Sequence, residues 1–363
     1  MFKFILNGRT VEYNDDPAVS LLSWLRNDMN LTAAKDGCSG QASCGACLVE
    51  VGGKAALACS TPMHKVAGKE IVTLEGWPQS LLRTLGRAFV AKGAVQCGFC
   101  TPGFLTRTKI LLAKNPAPTR PEVVKAIRSH LCRCTGYIKI VDAVLEAAAA
   151  LGAGRDVPFE DGAGIGVSSP KYRAFERAIG RKPFIDDLRF GGMVHGALRF
   201  SDHPRARVLS IDVDEAGKAP GVIRIFTAED IPGERNVGPI VQDWPVMVKV
   251  GETTRYIGDV LAGIVAETED QARNAAKLIH IEYEVLEPLT DMTKAETSPV
   301  KIHADDNLLF AQTICRGEPV EKVLTGSAHV ARGVLETQMV DHGFLETESS
   351  VAIPFKNGVQ IYI

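Results

Sequence analysis

The sequence predicts a multidomain α+β protein. Strands with hairpin turns dominate the first 76 residues, a helical period dominates residues 77–152, and strands alternate with helices from residue 171 onward. A chain of 363 residues is long enough for two to four domains. Eight of the nine cysteines lie within the first 134 residues, so the chemistry that cysteine indicates belongs to the first two regions.

Residues 1–76 predict a small β-rich domain. Polar and apolar residues alternate on both sides of Asn7-Gly8, a dipeptide typical of two-residue hairpin turns. A second hairpin crosses Gly52-Gly53, and a short helix ahead of the first cysteines carries its leucines on one face. The predicted strands cover residues 2–6, 9–13, 47–51, 54–59 and 70–74, and the helix carries Leu21, Leu22 and Leu25.

Residues 77–152 predict four short helices that pack against one another. Prolines in first turns and a capping box mark the helix starts, while glycines and an Asn-Pro pair mark the ends. These signals are Pro78, Thr101-Pro102, Thr119 with Glu122, Gly93, Asn115-Pro116 and Gly152. The cysteines of this region are predicted to lie at the turns between the helices.

Residues 153–170 have the composition of a linker and predict a flexible tether. Gly162, Gly164 and Gly166 do not indicate a nucleotide-binding loop, because no strand precedes them and the later spacing is missing.

From residue 171 the pattern predicts a mixed α/β region, divided into residues 171–292 and residues 293–363. The predicted strands cover residues 193–200, 208–213, 222–227, 260–266 and 280–285. A helix is predicted over residues 269–278, with a capping box formed by Thr268 and Gln271. Periodicity is weak over residues 301–330.

The last predicted element is a hairpin around Asn357-Gly358, with strands over residues 351–355 and 359–363. The second strand is apolar, and no polar tail follows it. Since an apolar edge strand invites pairing, the pattern predicts that another polypeptide pairs there.

The composition is that of an ordinary globular protein. Hydrophobic residues make up 45%, the mean hydropathy is near zero and the net charge is −2, so no electrostatic footprint for nucleic acid is present. The sequence has no signal-peptide pattern and no apolar run long enough to span a bilayer. These features predict a reducing cytoplasm, where clustered cysteines indicate metal ligands rather than disulfides.

The eight clustered cysteines form two sets of four. The first set is Cys38, Cys44, Cys47 and Cys59, and the second set is Cys97, Cys100, Cys132 and Cys134. Four thiolates are the ligands of either a [2Fe–2S] cluster or a structural zinc. Zinc sites favour paired CxxC motifs, and neither set contains two of them, so the sequence predicts two iron–sulfur clusters and electron transfer.

The two sets are arranged differently. Three cysteines of the first set share one loop of small residues, which lets backbone amides turn toward the sulfurs and tune the reduction potential. In the second set, a CxxC is predicted just before a helix N-terminus, which favours thiolates, and a CxC is predicted at the end of another helix.

The remaining reactive side chains give no second site. Cys315 stands alone and is interpreted as a plain core or surface residue. Eight histidines are scattered without ligand spacing and are interpreted as structural: His64, His130, His195, His203, His280, His303, His329 and His342. No hydrolase, metalloprotease, P-loop or EF-hand motif occurs, and no pair of catalytic carboxylates can be recognised from spacing.

The cysteine motifs resemble those of the molybdenum hydroxylases, the xanthine dehydrogenase and aldehyde oxidoreductase family. The matching segments are GCSGQASCGAC, AVQCGFCTPGF and LCRCTGY. Beyond the linker, HPRARVLSIDVDEAGKAPGVIRIFTAEDIPG and YIGDVLAGIVAETEDQARNAAKLIHIEYEVLEPL resemble the hammerhead domain of that family. The segment DHGFLETESSVAIP resembles the entry into its first molybdopterin-binding domain.

The resemblance implies the identity of each region. Residues 1–76 would be a β-grasp, plant-ferredoxin-like [2Fe–2S] domain, and residues 77–152 a four-helix [2Fe–2S] domain. Residues 171–292 would be the hammerhead domain, and residues 293–363 the incomplete start of a molybdopterin-binding domain.

The resemblance also implies a function. Electrons would pass from a molybdopterin centre through the second-set cluster and the first-set cluster to a flavin or an external acceptor. By the same resemblance, Gln96 and Cys134 would contact the pterin. The chain stops before the family's catalytic residues, so no catalytic residue is expected in it. A partner chain would carry the rest of the molybdenum site, and FAD could lie on a separate subunit.

The sequence departs from the cysteine spacing of plant-type ferredoxins and from the domain order of animal-type xanthine dehydrogenases. Five residues separate Cys38 from Cys44, where plant-type ferredoxins usually have four, and the longer loop is expected to change shape without losing a ligand. Only the linker lies where animal-type xanthine dehydrogenases have a flavin domain. Purines, aldehydes and other N-heterocycles stay open as substrates. The alternative function is a standalone two-cluster electron carrier or a redox-responsive binding protein.

Overall fold

The computed structural model describes residues 1–158, 164–167, 169–239, 241–303, 306–338, 340 and 343–363. Part of the predicted linker, including Gly162, lies outside these residues, as does His342. The chain divides into two compact units. Unit 1 comprises Met1–Leu188 and Glu336–Ile363, and unit 2 comprises Arg189–Leu335. The predicted α+β class is confirmed.

Unit 1 begins with a five-stranded mixed sheet in the order β2-β1-β5-β3-β4. Its elements are β1 (Phe2–Leu6), β2 (Arg9–Tyr13), α1 (Leu21–Asn27), β3 (Leu48–Val51), β4 (Lys54–Leu57) and β5 (Glu70–Val72). Both predicted hairpins form, and Asn7 and Gly8 adopt the positive φ angles, 49° and 80°, of a two-residue turn. Strand β1 pairs in parallel with β5, and Phe4, Trp24 and Leu25 fill the core beneath the sheet.

The four predicted helices follow in unit 1. They are α2 (Gln79–Ala91), α3 (Thr101–Lys114), α4 (Arg120–Ile127) and α5 (Ile138–Gly152). Helix α4 begins with the predicted capping box of Thr119 and Glu122, and buried residues such as Phe89 and Val144 form the helical core. A fifth helix, α6 (Ala174–Ala178), buries Ala174 and Ala178 in the same core. It was not predicted, because five residues are too few to show a helical period.

Unit 2 contains the remaining strands and helices up to residue 335. They are β6 (His195–Phe200), β7 (Ala206–Asp212), α7 (Asp214–Gly217), β8 (Val222–Phe226), β9 (Asn236–Val237), β10 (Trp244–Pro245), β11 (Val260–Ala266), α8 (Glu269–Lys277), β12 (His280–Val285) and α9 (Val320–Gly326). Strand β11 lies between β6 and β8, β12 pairs with β7, and β9 pairs with β10. Helix α8 starts with the predicted Thr268 and Gln271 capping box and contributes Ala275 to the core. Helix α9 was not predicted, because it buries no side chain and so shows no apolar face.

The final hairpin belongs to unit 1. Strands β13 (Val351–Phe355) and β14 (Gly358–Tyr362) pair in antiparallel fashion, as the sequence predicted. Its pairing with another polypeptide stays a prediction, and so do the domain boundaries after residues 76, 152, 170 and 292. Within the described ranges, no helix has both the length and the apolar character that crossing a bilayer would require.

Candidate metal centres

The first cysteine set is assembled from one loop and one turn. Cys38, Cys44 and Cys47 lie on the loop between α1 and β3, and Cys59 lies in a 3-10 turn after β4. The four sulfurs form two pairs within hydrogen-bonding reach, Cys38 with Cys44 and Cys47 with Cys59. Strands β3 and β4 are hydrogen-bonded to each other, and this brings the Cys47 and Cys59 sulfurs close together.

The loop between Cys38 and Cys44 turns its amides inward. Ser39, Gly40 and Ala42 all have positive φ angles, 48°, 78° and 57°, a region that only glycine enters without steric cost. As a result, the backbone N–H groups of Ser43 and Cys44 donate to the Cys38 sulfur. The structure thus shows the amide–sulfur hydrogen bonds that the small residues of the loop predicted.

The second set is built at the two predicted turns. Cys97 and Cys100 precede α3, with Cys100 as its N-cap residue, and Cys132 and Cys134 lie in the loop between α4 and α5. The Cys97 and Cys134 sulfurs are 3.6 Å apart, and Cys100 is hydrogen-bonded to Cys132. Helix α4 ends at Ile127, so the CxC motif lies in the loop after this helix rather than in its last turn.

This grouping by two fits a [2Fe–2S] cluster in each set. Such a cluster takes four thiolates, two on each iron. Two thiolates on one tetrahedral metal with bonds of ~2.3 Å lie roughly 3.8 Å apart, close to the 3.6 Å between Cys97 and Cys134. Over the residues that the structure describes, no three or more His, Cys, Asp or Glu side chains are grouped as ligands of a single ion.

One thiol in each of two sulfur pairs ionises readily. A hydrogen bond from Cys100 is the main cause that lowers the pKa of Cys132 to about 5. Burial raises the pKa of Cys38, but the N–H groups of Ser43 and Cys44 outweigh it and bring that pKa down to about 7. Burial raises the pKa of Cys44, the partner of Cys38, to about 11. Metals bind the thiolate form, and Cys38 and Cys132 are the thiols that reach this form most readily within their pairs.

The loops of the two sets touch each other. The Leu131 amide donates to the Cys44 carbonyl oxygen at 2.9 Å, which joins a residue of the first set to the neighbour of Cys132. A Cβ atom on Gly103 of α3 would lie 2.4 Å from the Gly45 carbonyl oxygen. The backbone of α3 therefore approaches the first cysteine loop as closely as glycine allows.

His130 fills the space beside this contact. Its ring is 2% exposed, lies 5.2 Å from the Phe104 ring and lies against Gly45 of the first cysteine loop. Burial, with the nearby charge of Arg107, lowers the pKa of His130 to about 4, so the ring is neutral at pH 7. The sequence analysis interprets all eight histidines as structural, so it does not single out His130, although His130 lies two residues before Cys132.

Gln96 and Cys134 lie at the outer side of the second set. The Gln96 side chain is exposed, and the Cys97 and Cys134 sulfurs are partly exposed, whereas Cys100 and Cys132 are buried. The expected pterin contact of Gln96 and Cys134 stays a prediction. Cys315, in unit 2, is exposed.

One residue at this site, Arg177, carries no signal in the sequence. The Arg177 guanidinium, which follows the linker, donates through Nη1 to the Cys97 carbonyl oxygen at 2.9 Å. No motif marked Arg177, because the short helix α6 has no visible period.

Three family models match consecutive parts of the chain. Residues 4–70 match the 2Fe-2S iron-sulfur cluster binding domain, and residues 73–145 match the [2Fe-2S] binding domain. Residues 179–287 match the a/b hammerhead domain of aldehyde oxidase and xanthine dehydrogenase. The chain therefore contains two [2Fe–2S]-binding domains followed by a hammerhead domain.

Two curated proteins and one solved structure show the extent of the similarity. The chain is 32% identical over 357 residues to the aldehyde oxidoreductase of Megalodesulfovibrio gigas, covering 92% of this chain but 39% of that protein. It is 43% identical over 147 residues to the nicotine 6-hydroxylase small subunit of Paenarthrobacter nicotinovorans, covering 40% of this chain and 88% of that subunit. The structure of the aldehyde oxidoreductase from Desulfovibrio gigas aligns with a TM-score of 0.80 at 31% identity, over 90% of this chain and 39% of that one.

Proposed function

Because the chain belongs to the molybdenum hydroxylase family of aldehyde oxidoreductases and xanthine dehydrogenases, we propose that it is the electron-transfer portion of such an enzyme. Electrons from a molybdopterin centre would pass through two [2Fe–2S] clusters to a flavin or an external acceptor. The observation that carries this proposal is the grouping of eight sulfurs into four neighbouring pairs.

Each cysteine set would hold one cluster. Cys38 with Cys44 would bind one iron of the first cluster, and Cys47 with Cys59 the other. In the second cluster the iron pairs would be Cys97 with Cys134 and Cys100 with Cys132. When bound, each cluster supplies a centre that accepts and returns one electron.

The exposure of the sulfurs supports a direction of transfer. The pair of Cys97 and Cys134 is partly exposed, and beside it the Gln96 side chain is available to contact a pterin. The pair of Cys100 and Cys132 is buried on the side where Leu131 donates to the Cys44 carbonyl oxygen. We therefore propose that electrons enter at the outer pair and reach the first set across the Leu131–Cys44 hydrogen bond.

The domain organisation is part of the proposal. Residues 1–76 and 77–152 would each form one cluster domain, 153–170 the linker, 171–292 the hammerhead domain and 293–363 the start of a molybdopterin-binding domain. The family-model matches at residues 4–70 and 73–145 support the two cluster domains, and the match at residues 179–287 supports the hammerhead domain.

We also propose that the rest of the molybdenum site lies on a partner chain, and that FAD, where the enzyme uses it, lies on a further subunit. The similarity to a protein named as the small subunit of nicotine 6-hydroxylase, over 88% of its length, supports a hetero-oligomer. Eight cysteines arranged as ligands support a reducing cytoplasm. The names of the relatives, an aldehyde oxidoreductase and a nicotine 6-hydroxylase, support an aldehyde or an N-heterocycle as the substrate.

Electron paramagnetic resonance with metal analysis tests the proposal. Native purification, with identification of co-purifying chains, should give about four irons per chain and, after dithionite reduction, two distinct signals. Molybdenum should co-purify with the partner. A colourless protein with two zinc ions would overturn the cluster assignment. Two cluster signals without any molybdenum-containing partner would instead favour a standalone electron carrier.

A further inference from the structure

The segment after the linker, residues 171–188, packs against the helical domain. Helix α6 buries Ala174 and Ala178, and Ile179 follows them into the core formed by α2 to α5. Phe184, which is 4% exposed, lies edge-on to Phe99 with ring centroids 5.2 Å apart, and Phe99 lies between Cys97 and Cys100. The segment therefore packs against the cysteine loop of the second set.

A buried ion network holds the far end of the segment. Asp187 is paired with Lys35, whose side chain is 0% exposed, and with the Arg26 guanidinium at 2.9 Å. Arg26 in turn donates to the Ala34 carbonyl oxygen at 3.0 Å, just ahead of the first cysteine loop. Removing one member of such a buried network leaves an uncompensated charge, so the segment is fixed at this end.

Arg177 lies within α6 and over the backbone of the second set. Its guanidinium donates to the Cys97 carbonyl oxygen at 2.9 Å, and its Cβ atom lies 2.8 Å from where a Cβ atom of Gly98 would be. Lys171, six residues earlier, donates to the Gln96 carbonyl oxygen at 2.8 Å. Two cations of one segment thus bind consecutive carbonyl groups of the cysteine loop.

The surrounding charges are mostly positive. Burial is the main cause that lowers the pKa of Lys182, and the charges of Arg177, Arg173 and Lys171 lower it further, against the opposing charge of Glu346.

We propose that Arg177 is a positioning residue for electron transfer, which holds the Cys97 carbonyl group and raises the reduction potential of the second cluster. The inference rests on the proposed function, since it requires a cluster at the second set. A cluster gains one negative charge when it is reduced, and a cation held beside a ligand stabilises that form.

Redox titration of the holoprotein, followed by electron paramagnetic resonance, tests the proposal with Arg177→Met and Arg177→Lys. The Met variant keeps the aliphatic contact with Gly98 but loses the charge. We expect the equilibrium constant for reduction of its second cluster to fall at least tenfold, which is a shift of about 59 mV toward negative potential for a one-electron couple. The potential of the first cluster should not change. The Lys variant keeps the charge and should recover most of the shift.

Arg181→Met is the matched control. Arg181 lies in the same segment and its loss changes the net charge equally, but its guanidinium donates to Gln79 on α2 at 2.8 Å. Neither potential should change in this variant.

Each result decides one question. An unchanged second-cluster potential in Arg177→Met, or an equal shift in Arg181→Met, would overturn the role of Arg177. Absence of the second signal from the unaltered protein would instead overturn the proposed function. If Arg177→Met yields no folded holoprotein, Arg177→Gln decides instead, because it keeps an amide donor toward the Cys97 carbonyl group but loses the charge. Its second-cluster potential must shift in the negative direction, and an unchanged potential would overturn the proposal.

Discussion

At Cys44 the side chain and the backbone make separate contacts, and Cys132 directly follows the residue that binds this backbone. The Cys44 sulfur belongs to the first set, whereas its carbonyl oxygen accepts the Leu131 hydrogen bond that leads to Cys132. A serine at either position removes the sulfur and keeps the backbone. Substitution can therefore separate the binding of a cluster from the contact between the two loops.

We predict that Cys44→Ser abolishes one electron paramagnetic resonance signal and leaves the other, and that Cys132→Ser does the reverse. The reason is that the two sulfurs belong to different pairs in different sets, whereas the backbone contact between the loops survives both changes. The signals are measured on dithionite-reduced protein.

Cys315→Ser is the control for these variants and should keep both signals, because Cys315 is exposed in unit 2. Loss of both signals from a folded Cys44→Ser or Cys132→Ser variant would show that the sets are not independent sites.

At the scale of elements, local signals predicted most of what positions the cysteines. The hairpin at Asn7-Gly8 and the Thr119 capping box formed where their sequence signals lie, because turns and helix starts depend on neighbouring residues. Helix α6 could not be predicted in this way. It is five residues long, and its stability comes from burying Ala174 and Ala178 in a core made by distant helices.

The approach of α3 to the first cysteine loop is another feature that only the folded chain reveals. Gly103 follows the predicted Thr101-Pro102 start signal, so its sequence position indicates only the first turn of a helix. In the structure it meets the Gly45 carbonyl oxygen, which lies 58 positions earlier in the printed sequence. Contacts at such separation leave no periodic trace in a single sequence.

We predict that Gly103→Ala destabilises unit 1 by roughly 1–3 kcal/mol, because its methyl group would overlap the Gly45 carbonyl oxygen and force α3 away from the loop. Gly152→Ala in α5 is the matched control. No atom lies within 4 Å of its added methyl group, so it should be neutral or stabilise the helix by up to about 1 kcal/mol. Urea midpoints of the holoproteins measure both changes, and equal midpoints would contradict the close approach.

At the scale of the whole molecule, the two units have separate cores. Unit 1 contains both cysteine sets and the cores around Leu25 and Phe89, whereas unit 2 has a core of its own around Leu261 and Ile264. The sequence predicted the order of these regions from changes of period. It could not predict that residues 171–188 pack with unit 1, because Arg177, Phe184 and Asp187 make contacts with loops 80 or more residues away.

We predict that removal of iron lowers the melting temperature of unit 1 without changing that of unit 2. A ligand that binds only the folded state stabilises that state, and all eight clustered cysteines lie in unit 1. Loss of a few kcal/mol should lower its transition by on the order of 10 °C.

Differential scanning calorimetry of the holoprotein and the chelated protein, both kept reduced, resolves the two transitions. Reconstitution with iron and sulfide is the control and should restore the first transition. A fall of equal size in both transitions would contradict the assignment of the clusters to unit 1, because unit 2 contributes only Cys315 and keeps its own apolar core when iron is lost.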